Sequence, residues 1–396
     1  MINYLIPFLI ALLPFLVSIS VPIVDSLYAS DLVIIFLFIF LLFKLSRINN
    51  KNGAISIVGL RVFSLIIFLS FIIGKALFPL FFNYHVGSGV WGLFIFFITM
   101  LVIIPFGQNI IDSKKIQKVI VVVSLLAFLG LSLQYISYYS TNHFIKLIPL
   151  ELYSQQVKEL YSNVAITGIK NGQFRPSSFF LEPAHYAEYC SIGVASLLFS
   201  NWRKGHLPTF LAIVISFGII LSTSGLGIVL IGAIWLFKLI FVKKNRFQSF
   251  VIIASVFVIL LISLPKTDFF NVIVSRVFNS DQSGNAIYAR GNSYLSWLEL
   301  NPFHKLFGIG YGLEQNIYMP GLSKYLCRIG LFGVAFLLFV VFQHYRFLNY
   351  FGKAMSLVWL LTFIMADISG VYYFVFYFLI IYSSKNLKKM SHNLLY

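Results

Sequence analysis

Residues 174–189 read Phe-Arg-Pro-Ser-Ser-Phe-Phe-Leu-Glu-Pro-Ala-His-Tyr-Ala-Glu-Tyr. An arginine, two glutamates and a histidine converge here, where a polar loop passes into an apolar run. Almost everything on either side is hydrocarbon-loving. An ionisable side chain at a bilayer centre costs about 2.5–3.5 kcal/mol on insertion scales, so such a cluster is a functional-site candidate by default. Pro183 suits the first turn of a helix, where its missing N–H costs nothing. Glu182 then stands at the helix start, with His185 three residues on and on a similar face.

Outward from this stretch, composition sets the class. The chain has 396 residues, 59% hydrophobic and 10% charged, with a mean hydropathy of +0.91. Soluble domains carry about a quarter charged residues. Repeated apolar runs of roughly 17 to 25 residues fit helices crossing a bilayer, not alternating barrel strands. The expected fold is therefore an all-α integral membrane protein with about twelve transmembrane helices in one polytopic domain, residues 1–396. Spans are expected near 2–20, 31–45, 57–74, 90–106, 117–139, 184–200, 207–222, 224–242, 249–265, 323–342, 354–366 and 369–383.

The formal charge of +17 suggests nucleic acid until its distribution is read. Lysines and arginines fall in short clusters within 44–61, 114–118, 203–204, 238–246, 346–353 and 385–389, at every second connection. That is the positive-inside signature of cytoplasmic loops, with attraction to anionic lipid and no nucleic-acid partner. Both termini are then cytoplasmic, and of the twelve acidic residues only Asp112 does not lie on or near the opposite face. No lysine or arginine precedes Lys44, so residues 2–20 read as a retained span, not a cleaved signal. Cys190 and Cys327 sit in or beside apolar spans and imply neither a disulfide framework nor a cysteine metal site.

Two long connections, 140–183 and 266–322, face outward, and loops of such length usually carry function. The second holds Trp297, Phe303, Phe307, Tyr311 and Tyr318 and is expected to fold as short amphipathic helices at the outer interface.

The polar constellations each admit two readings. Arg175 is suited to bidentate phosphate binding beside a helix N-terminus; alternatively it snorkels while Glu182 and Glu188 cap and solvate the helix. Arg276 and Arg290 flank Asp281, with Glu299 and His304 beyond, and serve either as a diphosphate clamp or as loop ion pairs worth under about 1 kcal/mol. Gly308-Ile-Gly310-Tyr311-Gly312 follows no strand, so turn-making is favoured over close approach to a head group. In Ser222-Thr-Ser224-Gly225 small residues allow close helix packing, with substrate contact as the minority reading. Arg328 and Asp367 lie on the outer side, lining the same cavity or reaching the interface. There is no His-Glu-x-x-His, no Asp-x-Asp in an outer loop and no Walker sequence, which leaves metal-dependent sugar-nucleotide transfer and ATP-driven pumping unsupported.

Taken in order, Arg-Pro-Ser-Ser-Phe-Phe-Leu-Glu-Pro-Ala-His (175–185), Ser-Thr-Ser-Gly (222–225), Asn-Pro to Gly-Ile-Gly-Tyr-Gly (301–312) and Arg-Ile-Gly-Leu-Phe-Gly (328–333) resemble the pattern of bacterial O-antigen polymerases of Wzy type and the related O-antigen ligases. The likeness covers roughly 170 to 335 by motif and the rest by topology. It implies a lipid-dependent glycosyltransferase fold of GT-C-like kind in the bacterial inner membrane, without metal or other cofactor. The implied activity is polymerisation of polyprenyl-diphosphate-linked oligosaccharide units into O-antigen or capsular-type polysaccharide at the outer face. A chain-length regulator and a flippase are the implied protein partners.

The resemblance assigns diphosphate binding to Arg175, Arg276 and Arg290, catalysis to Glu182, His185 and Arg290, and substrate lining to Ser224, Gly310, Tyr311 and Arg328. Fixed cations would stabilise charge building on the leaving diphosphate, and Glu182 or His185 would act as general base. Ala184 and His185 stand where relatives often place small residues, which leaves the base open between the two. Alternatives are ligase-type transfer of finished glycan to an acceptor and, from another class, a flippase or transporter. Transporters usually carry mid-membrane polar residues and inverted repeats, whereas the ionisable groups here cluster at outer loops.

Overall fold

A computed structural model describes residues 2–17, 19–21, 24–45, 112–153, 169–170, 173–199, 205–241, 286–310, 319–342, 345–366 and 371–384. Over these residues the fold is all-helical apart from two short antiparallel hairpins and an isolated antiparallel bridge between Ile19 and Tyr153. In chain order, α1 (Ile2–Leu16) is followed by the hairpin β1 (Ser20–Val21) and β2 (Val24–Tyr28), then α2 (Ala29–Leu45) and α3 (Ser113–Thr141). The second hairpin, β3 (Ile169–Lys170) and β4 (Gln173–Phe174), leads into α4 (Pro183–Phe199), α5 (Leu207–Leu221) and α6 (Gly225–Phe241). Then come α7 (Ala286–Leu298), α8 (Pro302–Phe307), α9 (Gly321–Phe342), α10 (Tyr350–Met365) and α11 (Val371–Ser383).

A helix stands at each expected span that falls on described residues; the expected spans 57–74, 90–106 and 249–265 lie outside them. The first span is shorter than expected. It stops at Leu16, because Ile19, Val21 and Val24 are β-branched and Pro22 has no N–H to continue a helix. Pro183 opens α4 as expected. In the second long connection, α7 and α8 are the short helices anticipated there.

With 29 and 22 residues, α3 and α9 are long and apolar enough to cross a membrane, for which about 20 residues suffice. The surface of α3 shows which solvent it suits. Val122, Leu126, Leu129, Leu133 and Ile136 recur at helical spacing and are each more than half exposed. Gln117, Ser124 and Gln134 lie on the buried side. A water-facing helix does the reverse; apolar outside with polar and small residues inside is the pattern that hydrocarbon imposes.

The chain forms two compact units. One comprises Phe15–Ala29 and Lys114–Asn285. Its centre is α4, buried from Tyr186 to Leu197 and packed by α5 and α6. Small residues permit this: a side chain at Gly193 would meet Ser124 of α3, and one at Gly227 would lie 2.6 Å from the Ala187 Cβ. The indole N–H of Trp235 donates to Ser216 Oγ at 3.1 Å between α6 and α5.

The other unit comprises Met1–Pro14, Ser30–Ser113 and Ala286–Tyr396. Its α9 is interrupted at Gly330, with φ 67° and ψ −175°. The break frees carbonyls that a neighbouring segment then satisfies: Ile309 N–H donates to Cys327 O at 2.8 Å and Gly310 N–H to Arg328 O at 3.1 Å. The approach is backbone on backbone. A Cβ on Gly308 (φ 84°) would overlap the Arg328 carbonyl, and one on Gly330 would overlap the Leu306 carbonyl. Only glycine fits either place. Asn301 caps α8 by accepting from His304 N–H at 2.8 Å, with Pro302 in the first turn.

Candidate functional site

One polar side chain in the apolar helix α3 organises the candidate site. Gln134 is buried, and its carbonyl oxygen Oε1 accepts from the backbone N–H groups of Ser177 at 3.2 Å and Ser178 at 2.8 Å. Its amide nitrogen Nε2 donates to Ile145 O at 3.1 Å and Ser178 O at 2.9 Å. All four hydrogen-bonding positions of the amide are used. The loop after α3 and the loop before α4 are thereby strapped to one helix face.

The strapped turn is local as well. Ser177 Oγ donates to Phe180 O at 2.7 Å, and Phe180 N–H donates to Ser177 O at 3.0 Å. Ser178 adopts φ 56°, a left-handed conformation costing a non-glycine residue about 1–2 kcal/mol, which the two Gln134 contacts to its N–H and carbonyl offset. Gly130 makes room, since a Cβ there would collide with Ser178 Oγ. Aromatic rings fix both ends of the 174–180 segment. Phe174 stacks on Tyr138 with centroids 4.0 Å apart, and Phe15 packs on Phe179 and Phe180 at 5.2 and 4.4 Å.

Between these loops lies a cleft lined by Gln134, Phe144, Lys146, Ile148, Tyr153, Arg175 and Ser177 through Leu181. The centre of a water-sized sphere can move through ≈ 20 Å³ of it, room for about one oxygen-sized group. Among the described residues two cations line it and no carboxylate does. Arg175 Nε is shielded from solvent and has no hydrogen-bond partner among the described residues. Burial pushes its pKa below the ordinary arginine value, with Glu182 pulling the other way. Lys146 is also held down, to about 8, by burial, against the opposing pull of Glu151. A guanidinium stays charged regardless, so the cleft presents buried positive charge.

The sequence-derived site residues distribute as follows. Glu182 lies next to α4, its carbonyl accepting from Tyr186 N–H at 3.1 Å, and its carboxylate acts electrostatically on Arg175. His185, in the first turn of α4, is not among the residues lining the cleft. Glu188 is buried within α4, so it is no solvated cap. Ser224 is buried ahead of α6, its Oγ accepting from Gly227 N–H at 3.2 Å. Gly310 and Arg328 meet through their backbones at the α9 break in the other unit. Arg290 is a residue of α7 whose side chain lies outside the described portion, as do Arg276 and Tyr311 altogether.

Sequence reasoning missed Gln134, Gly130 and Lys146. The first had a faint signal, as an amide within an otherwise apolar span; Lys146 stood outside the basic clusters on the acidic side of the chain. No protein-family model matches the chain, and no curated protein sequence matches it.

Proposed function

We propose that this chain joins polyprenyl-diphosphate-linked oligosaccharide units into a polysaccharide at the outer face of the bacterial cytoplasmic membrane. In this reading it is a multi-pass protein with about twelve spans, cytoplasmic termini and a GT-C-like arrangement. The observation that carries the proposal is Arg175: a guanidinium whose shielded Nε has no partner among the described residues, in a cleft that no carboxylate among them lines, at the entrance to a buried helix. Such a group suits a phosphorylated leaving group better than a neutral sugar.

The chemistry follows from charge. An acceptor hydroxyl oxygen attacks the anomeric carbon of the growing chain as the bond from that carbon to the diphosphate oxygen breaks. The electron pair leaves on the polyprenyl diphosphate, where Arg175 stabilises the developing charge. The hydroxyl proton passes to a general base, for which Glu182 is better sited than His185 because it already interacts with Arg175. Arg290 and Arg276 are the further cations proposed for the diphosphate, with Ser224, Gly310, Tyr311 and Arg328 lining the substrate path.

The test is reconstitution of the purified chain in liposomes with lipid-linked oligosaccharide. New glycosidic bonds and a ladder of repeat lengths are expected. Transfer of finished glycan to a separate acceptor would indicate the ligase activity, and movement across the bilayer without bond formation would indicate a transporter; either overturns polymerisation.

A further inference from the structure

Arg175 shares its cleft with a second cation, Lys146. The Lys146 ammonium nitrogen is shielded from solvent and has no hydrogen-bond acceptor among the described residues. It rests 5.6 Å from the centroid of the Tyr153 ring, a cation–π contact that leaves its three N–H donors without an oxygen to bond. Ser178 Oγ, in the same wall, is likewise buried without a partner. Buried donors without acceptors are costly, and charged ones most of all. The two charged ones, on Lys146 and Arg175, belong to residues lining a cleft that no carboxylate among the described residues lines. An anion would supply the acceptor that both cations lack among the described residues.

We propose that Lys146 and Arg175 form a subsite for one phosphoryl group. The inference rests on the function proposed above and deepens it by assigning Lys146 as a binding residue. Arg175 supplies a forked, directional donor and Lys146 a compact point charge; together they match an anion of two negative charges better than one. The cleft has room for about one oxygen-sized group, so one phosphoryl oxygen enters it and the rest of the group sits at the mouth. Gln134 is a positioning residue, because it holds Ile145, next to Lys146, and Ser177–Ser178, close to Arg175, on the same helix face.

The shared chemistry, a phosphoryl anion, can come from a lipid-linked diphosphate or from an ordinary phospholipid head group. Calorimetric titration of the full chain in neutral detergent would use inorganic pyrophosphate, a short-chain isoprenyl diphosphate, and nanodiscs of anionic phospholipid. Both diphosphates are expected to bind, and Lys146→Ala is expected to weaken them about 10- to 100-fold, the loss typical of a charge-assisted hydrogen bond. Lys146→Arg is expected to stay within a few-fold of wild type. Lys146→Met, which keeps the stem over Tyr153, replaces the alanine variant should that fail to fold.

Unchanged diphosphate binding in the neutral variants overturns the subsite, and binding of phospholipid nanodiscs alone overturns its assignment to a diphosphate. The two proposals fail separately. A chain that binds pyrophosphate through Lys146 yet joins no glycan refutes the polymerase and leaves the subsite standing. A chain that joins glycan but binds diphosphate without need of Lys146 refutes the subsite alone.

Discussion

At the scale of single residues, the charge on Lys146 sets a pH dependence. Burial lowers its pKa from the ordinary 10.5 to about 8, so the ammonium is lost as pH rises through about 8. Around it are Glu151 on the following turn, Tyr153 beneath it, held neutral by a pKa raised to about 12, Arg175 across the cleft, and the exposed His143 on its own loop. Pyrophosphate affinity is therefore expected to fall between pH 7 and 9.5 in wild type and to stay flat in Lys146→Arg, measured by calorimetry. Stability moves oppositely. The folded pKa lies below the unfolded one, so the unfolded chain binds the proton more tightly and folding is favoured as pH rises from about 8 to 10.5. Gln134 gives a second expectation. Gln134→Leu orphans two N–H groups and two carbonyls, at about 1–3 kcal/mol for each buried group that water cannot reach. A lower thermal midpoint in detergent together with weakened pyrophosphate binding is expected; an unchanged midpoint would remove Gln134 from its strapping role.

At the scale of elements, the interrupted helix α9 and the exposed stripe of α3 each make a claim. Gly330 and Gly308 both take positive φ, and each lacks room for a Cβ against the other's neighbouring carbonyl. Gly330→Ala costs at least the 1–2 kcal/mol of a left-handed residue, roughly, and more through the backbone overlap. Because the two glycines serve one contact, Gly308→Ala added to it is expected to cost less than the sum, which a double-mutant cycle in thermal unfolding would read. On α3, Leu126 and Leu129 face outward. Leu126→Arg near the helix centre is expected to cost about 2.5–3.5 kcal/mol of insertion free energy and to reduce the membrane-inserted fraction. A stripe facing water would accept the same change at no cost, so undiminished insertion would reverse the reading of that face.

At the scale of the whole molecule, the proposal needs the loop after α3 on the non-cytoplasmic side. His143 is exposed on that loop. A cysteine placed there is expected to react with a membrane-impermeant maleimide added to intact cells after removal of the outer barrier. Labelling only from the cytoplasmic side would invert the topology and detach the cleft from lipid-linked substrate. Much of the architecture was legible beforehand for a simple reason: uninterrupted apolar runs fix helices locally. Leu207–Leu221 and Gly225–Phe241 were read to within a residue of their ends, and Pro183 was placed in the first turn of its helix from its chemistry alone. Where the local code changed, as in the β-branched stretch after Leu16, the helix ended earlier than hydropathy suggested.

The amino-acid order by itself determined an all-helical, membrane-suited chain with an ionisable cluster at 174–189, because bilayer burial and helix capping are written in neighbouring residues. Only the tertiary structure decided that Gln134 would hold a loop 44 residues away, that Lys146 would share a cleft with Arg175, and that the glycines at 308 and 330 would close on each other's backbone. Those pairings depend on which helix faces meet, a matter of packing across the fold that no local pattern of residues encodes.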